Sequence, residues 1–81
     1  MAVVYLGMAV GSVGARIRAT VSGPASDVER VRGALIGVIR MSRTLREVTR
    51  RVATLGEELG YVPEVGPEID GELPVYLWRR E

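Results

Sequence analysis

The chain has no Lys, His, Cys, Asn, Gln or Phe. Each absence closes a route. Without Cys and His there is no zinc finger, thiol nucleophile, disulfide, imidazole base or serine-histidine triad. Without Lys there is no Schiff base and no P-loop lysine. The titratable chemistry that is left rests on ten carboxylates and three Tyr, which is a poor set for an active site. The expectation is a non-enzymatic protein without cofactor or metal. The absence of Asn, Gln and Cys fits a thermophilic origin. GC-rich coding would give the same excess of Arg over Lys.

All basic charge is carried by 11 Arg. The net charge of +1 conceals a division along the 81 residues. Residues 1–55 hold nine Arg against Asp27, Glu29 and Glu47. Residues 56–81 hold Arg79 and Arg80 against seven acids. The plain reading is charge complementarity within or between subunits. The sharper reading is a basic surface that meets phosphate, with the acidic segment held elsewhere.

At 47% hydrophobic residues the composition is that of a folding chain. One domain this small buries only about 60–65% of its unfolded surface. Association into a homodimer or tetramer is therefore expected. Residues 1–15 are uncharged and mostly apolar. They lack the basic start of a signal peptide, and the run is too short for a transmembrane helix. A cytoplasmic protein without membrane contact is the default expectation.

Ala2 to Val10 reads as a strand and Gly11-Ser12-Val13-Gly14 as a turn. Residues 15–22 alternate, with Arg16, Arg18 and Thr20 on one side and Ile17, Ala19 and Val21 on the other. These runs form an N-terminal hairpin closed by Gly23-Pro24. Ser26-Asp27-Val28-Glu29 has the form of a capping box, with two acids suited to the helix dipole. Helical patterning then runs to Leu59, and Gly60 supplies a left-handed stop.

Within that segment Val31, Val38, Leu45, Val52 and Leu59 recur every seven residues. Ala34, Met41, Val48 and Leu55 follow three residues after the first four. The stripe favours one amphipathic helix of about 50 Å. A second capping box, Thr44 to Glu47, allows a break near Ser42 and hence two helices. Gly33 and Gly37 make a small-xxx-small pair, which suggests close packing against a sheet or a second helix. The apolar surface around Leu35, Ile36 and Ile39 exceeds what one small sheet covers, so these three are the expected oligomer interface.

Tyr61 to Glu81 reads as a second hairpin turning at Asp70-Gly71. Pro63, Pro67 and Pro74 argue for an edge or irregular run before the turn. The expected fold is α+β: hairpin, long helix, hairpin, with one antiparallel sheet packed on the helix. Val4, Leu6, Met8, Val10, Ile17, Ala19, Val21, Val75 and Leu77 then face the helix. Tyr5, Arg16, Arg18, Tyr76, Trp78 and Arg80 face outward.

Single-stranded DNA or RNA is held by that combination of groups. Bases stack on Tyr and Trp, and Arg pairs with phosphate or stacks. The same residues are enriched in the cores of protein interfaces, so a homo-oligomeric assembly or adaptor protein is the alternative. Four acids of the tail, Glu64, Glu68, Asp70 and Glu72, match no calcium-loop pattern and read as a solvated hairpin edge. Gly7, Gly11 and Gly14 lack dinucleotide-fingerprint spacing.

Ser42 to Val52, SRTLREVTRRV, resembles the recognition helix of winged helix-turn-helix regulators of the GntR type. That resemblance covers about half the chain, with a loose motif of Ser-Arg-Thr, Arg-Glu and Arg-Arg spacing followed by Leu and a hairpin. It implies a third reading, a duplex-binding regulator. Ser42, Arg43, Thr44 and Arg46 would then face DNA, with Arg50 and Arg51 near phosphates and Tyr61 to Trp78 as the wing.

Overall fold

The computed structural model describes residues 2–10 and 16–80. The turn expected at positions 11–14 lies outside them. The order is β1 (Ala2–Val10), β2 (Ile17–Ser22), α1 (Ala25–Met41), α2 (Leu45–Glu58), β3 (Tyr61–Val65) and β4 (Glu72–Arg79). The four strands make one antiparallel sheet in the order β2-β1-β4-β3. The two hairpins thus join through the first and last strands. Both helices lie on one face of the sheet, and the expected α+β architecture holds. No described helix is long and apolar enough to cross a membrane.

The core sits between the layers. Val4, Leu6 and Met8 of β1 and Val75 and Leu77 of β4 meet Val31 and Leu35 of α1 and Val48 and Val52 of α2, closed at one end by Tyr61. Ile17, Ala19 and Val21 pack on its margin. The alternation read from the sequence therefore holds along the central strands, except that Val10, at the end of β1, is exposed.

The single long helix is corrected to two. Ser42 and Thr44 are extended, with φ, ψ of −99°, 140° and −124°, 159°. Their hydroxyls make the break inexpensive. Ser42 Oγ donates to Val38 O at 2.7 Å, and Ser42 N donates to Ile39 O. Thr44 Oγ1 accepts from Glu47 N at 3.1 Å. Val38 O and Ile39 O on one side and Glu47 N on the other, groups that a helix end leaves orphaned, are thereby satisfied. Length gives the other reason. A nine-residue β1 spans about 30 Å, whereas an unbroken helix of about 50 Å would overhang it. Folding at Ser42 lays Val31 and Val38 of one half of the stripe and Leu45, Val48, Val52 and Leu59 of the other on the same core, while Met41 at the break is exposed.

The start of α1 also differs from expectation. Pro24 occupies the N-cap position with φ −60°, no side chain caps the helix, and Val28 N donates to Pro24 O. Ser26 is therefore already inside the first turn and the Ser26–Glu29 box is not formed. Asp27, expected as a first-turn acid suited to the helix dipole, is buried. At the other end Gly60 takes φ +94° as the stop requires.

The second hairpin turns at Asp70 (φ 53°) and Gly71 (φ 79°), the positive pair a type I′ turn needs. Pro74 stands in β4, a central strand, against the expectation for proline. It survives because its nitrogen side faces the end of β3, where Gly66 N donates to Pro74 O and the ladder finishes. A side chain at Gly66 would meet the Pro74 ring at 2.8 Å. Alternating from that bond, Pro63 falls at a non-hydrogen-bonded pair with Leu77, so its nitrogen faces the open sheet edge.

The expected interface residues are redistributed. Leu35 is in the protomer's own core and Ile39 packs against it, so neither is left over. Only Ile36 is exposed. Among the described residues the close approach expected at Gly33 and Gly37 is not made: none of their atoms lies within 4 Å of a Cβ built at either.

Candidate nucleic-acid interface

The sheet face away from the helices is built by strand parity. Tyr5 lies opposite Tyr76 across β1 and β4, their ring centroids 5.4 Å apart and their planes tilted by 52°. Trp78 is two residues further along β4, beside Val62 of the edge strand. All three aromatic rings are half-buried and no helix covers them. Arg18, beside Ala9, is exposed at one corner of this face, and Arg80 follows β4 at the opposite corner. Arg16 stands at the sheet margin, exposed, and turns toward a cleft against the end of α1.

The six residues expected on this face are thus in the expected arrangement apart from Arg16, which serves the margin. Two neighbours were not expected. Glu72 and Glu64 belong to the same face, so the acidic segment is not held elsewhere. The Tyr5 hydroxyl donates to Glu72 Oε1, and Trp78 Nε1 donates to Glu64 Oε1 at 2.9 Å. Glu72 reaches Tyr5 by folding across Gly7. A Cβ there would collide with the Glu72 carboxylate and lie 2.8 Å from Thr20 Oγ1. Gly7 therefore leaves the room in which the Glu72 carboxylate reaches Tyr5. The hydrogen bond to Glu72, then burial and the Glu72 charge, push the Tyr5 hydroxyl up to about 12.

Strand parity with Tyr76 and Trp78 is the signal that could have found Glu72. Glu64 was hidden by register. The Ile69↔Glu72 bridge counts symmetrically about the turn, but Glu64↔Tyr76 and Val65↔Val75 are one residue out of that count. The extra residue lies near Pro67, and a slip of one reverses the face of every side chain beyond it.

A second polar cluster closes the far end of the core. The buried Tyr61 hydroxyl donates to Asp27 Oδ1, and Arg79 Nη2 lies 3.4 Å from Asp27 Oδ2. Arg30 sits 5.7 Å over the Tyr61 ring and donates to Leu59 O at 3.0 Å. Burial, followed by the bond to Asp27, raises the Tyr61 pKa. This cluster pins the start of α1 to the second hairpin.

The geometry does not suit a winged helix. The hairpin read as the wing is half of the sheet, with β4 paired on both sides. The Thr44 hydroxyl caps α2, the Ser42 hydroxyl is held by Val38 O, and Arg51 pairs with Glu47 at 3.5 Å. Val48, Thr49 and Val52 of α2 are buried, and of the residues this reading assigns to DNA, Arg43, Arg46 and Arg50 are exposed with no ion pair among the described residues. No family model, no curated protein and no solved structure matches this chain.

Proposed function

We propose that this protein is not an enzyme and binds single-stranded DNA or RNA, tolerant of sequence, on the outer sheet face. The carrying observation is the uncovered row Tyr5–Tyr76–Trp78 between Arg18 and Arg80. The hydrogen bonds to Glu72 and Glu64 are donated by the Tyr5 hydroxyl and Trp78 Nε1, groups at the ring edges. They fix the rings without using the π faces on which bases stack. Arg18 and Arg80, with Arg16 at the margin, neutralise phosphate.

A short oligonucleotide is expected to quench Trp78 fluorescence and raise its anisotropy at low salt. Log affinity should fall by roughly 0.7 per phosphate contact against log salt. Unchanged fluorescence and anisotropy at low salt would sink this reading.

A second reading is a protein interface in a homodimer or tetramer, or with another protein. Glu64 and Glu72 favour it because they lower the positive potential of the face, and the exposed Val62 beside Trp78 adds apolar area. Light scattering separates the two. Trp78→Ala dissociates an oligomer if the face is an interface. It leaves the assembly state alone and abolishes oligonucleotide binding if the face takes nucleic acid.

A further inference from the structure

We infer that the cleft between the start of β2 and the α1–α2 elbow is a binding site for a phosphate-bearing anion. The cleft, of about 660 Å³, is lined by Arg16, Ile17, Ile39, Arg40, Ser42 and Arg43. Three guanidinium groups border it and, among the described residues, no carboxylate does. The ion pairs between described residues, Arg51–Glu47 and Arg79–Asp27, draw on none of the three.

Gathering three like charges on one concave surface costs Coulomb energy, which a bound anion reverses. Nine of the chain's ten carboxylates are among the described residues, and none of the nine lines the cleft. The helix dipole accounts for Arg40, in the last turn of α1, but not for Arg16 on the strand or Arg43 beyond the helix. Ile17 and Ile39 give the cleft apolar walls, which concentrate the field of the surrounding charges. Ser42 Oγ has its proton committed to Val38 O, so the Arg forks are the donors. Planar forks suit the paired oxygens of a phosphate. Arg16 also borders the sheet face, but the site needs none of the aromatic rings and stands apart from the reading of that face.

Inorganic pyrophosphate is the probe, followed by calorimetry at low ionic strength. The wild-type chain should bind it. The double variant Arg40→Gln/Arg43→Gln should lose at least about tenfold in affinity, with its circular dichroism unchanged because both side chains are exposed. Trp78→Ala should bind as the wild type does. The site is refuted if the wild type fails to bind, or if the double variant binds equally well. It is also refuted if Arg32→Gln, an exposed arginine outside the cleft, weakens binding as much as the double change. Competition identifies the source of the phosphate. An oligonucleotide that displaces pyrophosphate assigns the site to a strand backbone. Retained pyrophosphate in its presence assigns it to a small phosphorylated ligand. Both results keep the site and are read separately from Trp78 fluorescence.

Discussion

Tyr5 joins the outer face to a measurable pH dependence. Its hydroxyl is held neutral by Glu72, with the pKa raised from 10.0 to about 12. A group whose folded pKa exceeds its unfolded value contributes stability in full below the unfolded pKa. That contribution is lost as pH rises through the folded pKa. The Tyr5 contribution should thus be whole at pH 8 and decline between about 10 and about 12. Tyr5→Phe should be less stable than the wild type at pH 8, with the difference closing above pH 11, as followed by urea midpoints. Tyr61 titrates in both proteins, so the difference isolates Tyr5. A gap that does not narrow with pH would mean the Tyr5–Glu72 bond contributes nothing. Asp27 offers a contrast. It accepts from a buried hydroxyl, and its partner Arg79 is largely exposed. Asp27→Ala should cost about 1–3 kcal/mol, chiefly by orphaning the Tyr61 hydroxyl. Arg79→Gln should cost about 1 kcal/mol or less. Thermal denaturation checks both, and equal losses would place the energy in the ion pair instead. The inward turn of Asp27 could not be read from the chain. It depends on Pro24 starting the helix two residues before the Ser26 signal and on Tyr61, 34 positions away in sequence.

The elements were legible where periodicity speaks and illegible where two local signals compete. Strand parity, the Asp70-Gly71 turn and the Gly60 stop each had one interpretation, and each is present, with parity failing only at the strand ends Val10 and Arg16 among the residues it placed. The Val31-to-Leu59 stripe had two, because a heptad is satisfied equally by one helix on a partner and by two helices on one sheet. Thr44 decided between them, and Thr44→Ala should lower stability by about 1 kcal/mol through loss of the cap on Glu47 N. The glycines of the helices separate packing from propensity. Gly33 and Gly37 have open space where a methyl would go. Gly33→Ala and Gly37→Ala should each stabilise by about 0.5–1 kcal/mol. Gly56 lies against the core, where a Cβ would sit 2.5 Å from Leu77 Cδ2 and Leu77 is fully buried. Gly56→Ala should destabilise by about 1–3 kcal/mol despite the better helix propensity. Chemical denaturation of the three variants would show opposite signs, and a stabilising Gly56→Ala would mean that the helix moves away from the sheet freely. The face of Glu64 was the other illegible feature, because one extra residue near Pro67 shifts the register of β3 on β4.

At the scale of the molecule, the division into a basic front and an acidic tail is a matter of sequence that folding partly undoes. The central sheet takes one strand from each part, so β1 and β4 bring Tyr5 beside Glu72 and Arg18 within two strands of it. The cleft at the elbow stays basic, because Arg16, Arg40 and Arg43 all come from the front half. Glu64 and Glu72 therefore have an opposite consequence for each reading of the outer face. For a polyanion they are a cost. A carboxylate about 7 Å from a phosphate repels it by about 0.6 kcal/mol at the dielectric constant of water, about threefold in affinity. Glu64→Gln and Glu72→Gln keep an oxygen acceptor for Trp78 and Tyr5, so the rings stay oriented. Each should tighten binding of a short oligonucleotide about threefold at low salt, with the gain fading as salt screens the charge. For a protein partner that pairs Arg with these acids, the same substitutions remove attraction and weaken association. Titrating the two variants with one oligonucleotide at two salt concentrations, and sizing them by light scattering, reads both effects in the same samples. Tighter nucleic-acid binding with an unaltered assembly state supports the aromatic face as the strand platform. Unchanged or weaker oligonucleotide binding, together with a smaller assembly, transfers the face to protein association.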